Sequence, residues 1–258
     1  NPAPTCAGLF PSYAAIQGLY GPENKGVALG DLDGDGDLDA YIGCSYYGTA
    51  VVCANNGAGY FTISGSPQGA LQSDYNVVLA DLDNDGDLDA VNGQQAFLND
   101  GNANFTVTGQ TFSDTDNQLA DLDGDGDIDI FNGLGEVWLN NGFALFTNSG
   151  QALGASYNYD LDLADLDGDG DVDAIMVDYS PGAFVVLFND GNGVFTAVAP
   201  ILTGVNSRRY QLGDIDNDGD MDIVGVKVWF NDGLGNFSDS WQDLNNSLYP
   251  NHRLGDFD

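Results

Sequence analysis

Asp31-Leu32-Asp33-Gly34-Asp35-Gly36-Asp37-Leu38-Asp39 is the stretch that decides how this chain folds. The same nine-residue pattern returns at Asp81–Asp89, Asp121–Asp129, Asp165–Asp173 and Asp214–Asp222, with starts 50, 40, 44 and 49 residues apart. A second pattern interleaves with it: Asn55-Asn56-Gly57 to Phe61, Asn99-Asp100-Gly101 to Phe105, Asn140-Asn141-Gly142 to Phe146, Asn189-Asp190-Gly191 to Phe195, and Asn231-Asp232-Gly233 to Phe237. A period of 40 to 50 residues holding several short apolar runs is the mark of a propeller or another repeat array.

Around each Asp loop the runs are β-rich and bounded by Asn, Asp and Gly. In the first repeat they are Val27-Ala28-Leu29, Ala40-Tyr41-Ile42, Val51-Val52 and Tyr60-Phe61-Thr62. Long helices need Ala, Leu, Glu, Lys and Arg, and the last three are scarce here. The expectation is an all-β chain in which each repeat is strand, Asp loop, strand, variable loop, strand, Asn-Asp-Gly turn, strand. Four antiparallel strands make one propeller blade. The repeats span approximately 26–65, 76–109, 116–149, 160–199 and 209–240 of a single domain over 1–258.

The loops have the chemistry of a calcium site. Calcium takes six to eight hard oxygens, and carboxylates at positions 1, 3 and 5 of a tight loop converge on one point. Glycine at position 6 allows the sharp turn. Position 7 can offer its carbonyl, and position 9 a further carboxylate. The candidate metal residues are therefore Asp31, Asp33, Asp35, Asp37 and Asp39; Asp81, Asp83, Asp85, Asp87 and Asp89; Asp121, Asp123, Asp125, Asp127 and Asp129; Asp165, Asp167, Asp169, Asp171 and Asp173; and Asp214, Asp216, Asp218, Asp220 and Asp222. Position 12 is Ile42, Asn92, Asn132, Met176 or Gly225, so no EF-hand is present. Magnesium holds its water strongly and fits such a loop less well. Five divalent ions, one per loop, would bring the formal charge from −35 to −25. Nothing in the repeat supplies the acid–base groups of a catalytic metal, so calcium is expected to be structural.

The two patterns, in register five times, resemble FG-GAP and VCBS repeats, the family of the integrin α-chain head and of many secreted propellers. The resemblance covers about Gly26 to Asp258. It implies a β-propeller with one calcium in the first hairpin of each blade. Gly255-Asp256-Phe257-Asp258 begins a sixth Asp loop, and Gly8-Leu9-Phe10 suits the outer strand of a preceding blade. The expectation is five full blades plus a split or truncated further blade, in a segment of a longer chain whose Asn1-Pro2-Ala3-Pro4 start suits a processed N-terminus.

Composition narrows the partners. Forty acidic residues face five basic ones, and every acid but Glu23 and Glu136 is aspartate. Nucleic acid and anionic membranes both need Lys and Arg, so neither is expected, and no apolar run approaches the length of a membrane span. Cys44 and Cys53 flank one hairpin loop and are candidates for a disulfide, with Cys6 free or the true partner of one of them. Calcium loops and a disulfide both point to an extracellular or cell-surface protein. Sequons at Asn104, Asn236 and Asn245 matter in a host that glycosylates. His252 is the lone histidine, which excludes His-based triads and multi-His zinc sites. Trp138 and Trp229 share one repeat position and are expected to pack between blades.

The Asp loop and the Asn-Asp-Gly turn leave one end of a blade. Individual sequence gathers at the other end, where Asp-to-Asn spacings run 24, 18, 19, 24 and 17. Long second loops bring Tyr46, Tyr47 and Tyr179, and the connections between repeats bring Arg208, Arg209 and Trp241, the candidate ligand-binding residues. The expected function is a secreted recognition or adhesion module for glycan or protein, without enzymatic activity. The alternatives are a structural subunit of an extracellular filament or surface layer, whose partners are copies of itself, and a domain of a polysaccharide-active enzyme. Fold alone does not choose among them.

Overall fold

The computed structural model describes residues 26–43, 50–65, 76–113, 116–151, 153, 158–178, 183–198, 202–203 and 210–244. Each Asp loop closes a hairpin, and each Asn turn closes the next. The first sheet runs β1 (Val27–Gly30), β2 (Asp39–Ile42), β3 (Val51–Asn55), β4 (Phe61–Gly65), antiparallel throughout. The second repeats this order with β5 (Val77–Ala80), β6 (Asp89–Asn92), β7 (Gln95–Asn99) and β8 (Phe105–Thr111). The third comprises β9 (Asn117–Ala120), β10 (Asp129–Asn132), β11 (Val137–Leu139) and β12 (Thr147–Asn148).

The fourth contains β13 (Asn158–Ala164), β14 (Asp173–Asp178), β15 (Ala183–Asn189) and β16 (Phe195–Ala197). A short β17 (Leu202–Thr203) pairs the far half of β15, so the outer strand comes in two pieces. Ala199-Pro200-Ile201 lies between them in sequence, and proline has no N–H to give a ladder. The fifth sheet is β18 (Gln211–Gly213), β19 (Asp222–Val224), β20 (Lys227–Asn231) and β21 (Phe237–Asp243). The described residues thus form an all-β structure of five antiparallel sheets, with no helix among them. The expected strands hold, with one shift at the tip of the first turn: Tyr60 stands exposed outside β4, which begins at Phe61.

The described residues up to Asn117, with Asn140–Phe146, form one compact unit; Gln118–Leu139 and the described residues from Thr147 onward form another. In the first, Tyr41, Val52, Ala90, Phe97 and Phe105 build a core between the first two sheets. Phe105, the last residue of its turn pattern, meets Tyr41 of the preceding sheet edge-on, with ring centroids 5.1 Å apart. In the second unit Phe195 meets Phe131 of the preceding sheet in the same way at 5.0 Å. Trp229 is buried there against Phe184, with Tyr210 alongside, between the fourth and fifth sheets. That fits the packing expected of it, whereas Trp138 is half-buried and its indole N–H donates to Glu136 Oε2 at 3.2 Å.

The outer strands run further than the sequence suggests. β8 continues past Gly109 and β21 past Ser240. At Gly109 the chain takes φ 87° and at Trp241 φ 62°, and beyond each bulge the ladder resumes. For tryptophan the left-handed region costs on the order of 1 kcal/mol or more. Trp241, expected in the connection after the fifth repeat, lies inside β21.

Candidate metal centres

Each Asp loop is held by its own carboxylates. Position 1 accepts the N–H of the glycine at position 6: Asp31 from Gly36, Asp81 from Gly86, Asp121 from Gly126, Asp165 from Gly170 and Asp214 from Gly219, at 3.0–3.1 Å. Position 5 accepts the N–H of position 7, as Asp35 does from Asp37 at 2.9 Å. These bonds fold nine residues into a cup. Ligand oxygens of Asp31, Asp33 and Asp39 lie within 4.8 Å of one another, as do those of Asp121, Asp123 and Asp129, and of Asp165, Asp167 and Asp173. In the second and fifth loops the grouped residues are Asp81, Asp83 and Asp85, and Asp214, Asp216 and Asp218. The five Asp-rich groups are compatible with calcium loops.

Position 3 tests the fit. Burial, reinforced by repulsion from neighbouring loop carboxylates, pushes the carboxyls of Asp33, Asp83, Asp123, Asp167 and Asp216 above their usual range. Oδ1 of Asp83 is buried and has no hydrogen-bond donor. No Lys or Arg occurs within any of the five loops. Hard oxygens gathered without a counter-charge in the loop, one of them without a hydrogen-bond donor, are what a divalent cation would satisfy, so the residues fit calcium.

Positions 7 and 9 have other work. The position-7 side chains of Asp37, Asp87, Asp171 and Asp220 lie beside the turn glycines Gly57, Gly101, Gly191 and Gly233, where a Cβ would strike the carboxylate. That contact, with φ of 71–73° at these glycines, explains why the third turn residue is glycine. Asp39, Asp89, Asp129, Asp173 and Asp222 at position 9 are fully buried. One oxygen accepts the N–H of loop position 2 (Leu32, Leu82, Leu122, Leu166, Ile215) at 2.9–3.0 Å. The other accepts the N–H of the turn asparagine, shown for Asn55, Asn99, Asn189 and Asn231 at 2.7–2.9 Å. Position 9 is therefore a lock between the two loops at one end of a sheet as well as a candidate ligand.

The turn asparagines reach further than sequence reasoning foresaw. Within the first unit, Asn99 and Asn140 donate side-chain N–H to the carbonyls of Leu32 and Leu82, at loop position 2 of the preceding repeat, at 2.9 and 2.8 Å. Within the second, Asn189 and Asn231 do the same to Leu122 and Leu166 at 2.8 and 2.9 Å. Asn99, Asn189 and Asn231 each also donate to the position-8 carbonyl of their own loop. The recurrence of Asn at this position was the available signal.

Burial pushes Asp89 up to about 7 and Asp173 up to about 6 in the ion-free fold. An acid whose pKa is raised by folding costs stability as pH rises above its unfolded value of 3.8, because the unfolded chain ionises first, and the cost is complete above the folded value. Ion-free protein should therefore gain stability as pH falls from about 7, for Asp89, and about 6, for Asp173, toward 3.8. Circular dichroism after calcium is stripped should show the folded fraction rising from about pH 8 to about pH 5. With calcium bound the slope should reverse, because protons compete with the ion. A folded fraction that drops as the pH of stripped protein is lowered from about 8 to about 5 would contradict the burial argument.

Of the other sequence-predicted residues, Tyr46, Tyr47, Tyr179, Arg208, Arg209, His252, Cys6 and Cys44 lie outside the described residues. Cys53 is disulfide-bonded, with its partner outside the described residues. Trp241 is the most exposed large apolar side chain among those described, at 87%.

Comparison with solved structures finds the biofilm matrix protein Bap1 of V. cholerae, at 17% identity and TM-score 0.47, over 80% of this chain and 34% of that one. It also finds a rhamnogalacturonan lyase, PL11, of Bacillus licheniformis, at 17% identity and TM-score 0.37, over 83% of this chain and 41% of that one. The chain thus spans about a third to two-fifths of the length of these proteins. A search of curated protein sequences gives no match. The family described as FG-GAP-like repeat matches residues 31–91 and 165–225, each stretch taking in two full Asp loops and the strands between them. Those two stretches are FG-GAP-like repeats, and the same loop, turn and strand order recurs in five sheets.

Proposed function

We propose that the chain is a calcium-stabilised β-propeller, working outside the cell as a recognition or adhesion module for glycan or protein. The observation that carries this reading is the set of five Asp-rich groups, each with oxygens within 4.8 Å of one another. Each would hold one calcium through positions 1, 3 and 5 or 9. The propeller is supported by five antiparallel sheets in chain order and by the Phe and Asn of one turn reaching back to the preceding repeat within each unit. The disulfide at Cys53 supports an oxidising compartment. In this reading the module has no catalytic role; the carboxylates that the described repeats bring together accept backbone N–H groups and serve the fold.

Isothermal titration of stripped protein should find about one calcium per loop. Calcium-loaded protein should then be tested on glycan and protein arrays and by negative-stain microscopy. Binding to a defined ligand by monomeric particles is the expected result. Fewer than three ions per chain would sink the calcium reading, and end-to-end filaments without ligand binding would replace recognition by a structural role.

A further inference from the structure

The outer strands β8 and β21 share a kink at one repeat position. Between β7 and β8 the register passes from Phe97↔Val107 to Gln95↔Thr111, so extra residues bulge from β8. Between β20 and β21 it passes from Trp229↔Asp239 to Lys227↔Asp243 in the same way. Counting from the turn phenylalanine, the fifth residue of the second repeat is Gly109, which sits in this kink at φ 87°. At the same position Gly150 of the third repeat follows β12 at φ 80°, and Gly65 of the first pairs with Val52 beside a one-residue register shift. In the fifth repeat the residue there is Trp241, at φ 62° and 87% exposed. A bulky residue here takes a conformation that suits glycine, and its exposed indole gains no burial in return.

The described residues beside Trp241 on β20 and β21 are polar. Asp239 Oδ1 accepts the backbone N–H of Trp241 at 2.7 Å, and Asp239 Oδ2 accepts from Lys227 Nζ at 2.8 Å. Gln242 N–H donates to Ser240 Oγ at 3.2 Å, and the Gln242 side chain is exposed. Carboxylate, ammonium, hydroxyl and amide therefore accompany one flat apolar surface on a single strand and its neighbour.

We propose that Trp241 is a platform for a neutral pyranose ring of a glycan. A pyranose has a C–H face that packs on an indole and an equatorial rim of hydroxyls that both donate and accept. The polar groups of β20 and β21 match that rim. A protein hot spot would instead be expected among other aromatic and apolar groups in a desolvated centre. The chain's charge of −35 selects against sugars bearing carboxylates. This inference rests on the recognition reading and names its ligand class.

The test is a titration of calcium-loaded protein with neutral hexopyranose oligosaccharides, using oligogalacturonate as the acidic counterpart. Tryptophan fluorescence reports directly, because Trp229 is buried and Trp138 half-buried. Neutral sugars should bind at least tenfold more tightly than the acidic one. Trp241→Gly should weaken that binding at least tenfold, while the unfolding midpoint holds or rises by up to about 4 °C. Trp241→Phe should retain part of the affinity. Unchanged sugar binding in Trp241→Gly, or a fall in its midpoint, would overturn the platform. Wild-type protein that binds an immobilised protein but no neutral sugar overturns it too, and leaves the recognition reading standing. Binding of neither overturns both.

Discussion

Stripping calcium with a chelator is expected to lower the thermal unfolding midpoint by about 30 °C or more, the largest effect foreseen for this protein. An ion that binds only the folded state stabilises it by about 2.7 kcal/mol at a hundredfold excess over its dissociation constant. Five independent sites would contribute about 13 kcal/mol, comparable with the whole stability of an ordinary domain, about 5–15 kcal/mol. The cause lies in the loops, where position-3 carboxylates stand against their like-charged neighbours and the buried Oδ1 of Asp83 has no donor. Scanning calorimetry in excess calcium and in chelator would decide the matter. Coincident midpoints would remove calcium from the account of stability.

Asp89→Ala or Asp173→Ala is expected to cost about 2–6 kcal/mol, even in saturating calcium. Each side chain is fully buried. Asp89 accepts N–H groups from Leu82 at 2.9 Å and Asn99 at 2.7 Å; Asp173 accepts from Leu166 and Asn189, both at 2.9 Å. Truncation leaves two buried donors unpaired, at about 1–3 kcal/mol each. Asp89→Asn should recover little, since its amide would turn N–H toward one of the same donors. Asp87→Ala should cost about 1 kcal/mol or less, because its side chain only flanks Gly101. Denaturant midpoints for the four variants give the ranking. Equal losses for Asp87→Ala and Asp89→Ala would show that position 9 acts only through the ion.

Repetition made most of this architecture legible. The Asp loop and the Asn turn each fix a hairpin by local chemistry, so two patterns in register were enough to place four strands per repeat. Strand ends were harder to read. Gly109 reads as a terminator, yet at φ 87° it opens a bulge beyond which β8 continues to Thr111. Trp241 was placed in a connection because its kink lacks the glycine that would mark it as a partner of Gly109. Ligand-type residues at positions 1, 3 and 5 could be named from their spacing. The burial of position 9 could not, because it depends on closing the loop onto its own position 2 and onto a turn asparagine 9 to 16 residues further on. The backward reach of the turn asparagine has the same origin: Asn99 and Leu32 are 67 residues apart, beyond any local pattern.

The backward-reaching turn also bears on how such a chain can change its length. Each joint between repeats is made by the turn Asn, which reaches the position-2 carbonyl of the preceding repeat; where the second strand of that repeat carries an aromatic, as Tyr41 and Phe131 do, the turn Phe packs on it as well. Asn99 and Phe105 meet Leu32 and Tyr41; Asn189 and Phe195 meet Leu122 and Phe131. Excising or duplicating one whole period would present every surviving turn Asn with a carbonyl of the same kind. The joint is standardised, so the number of repeats can drift by recombination between copies of the gene segment, while the loops at the opposite end diverge without disturbing it.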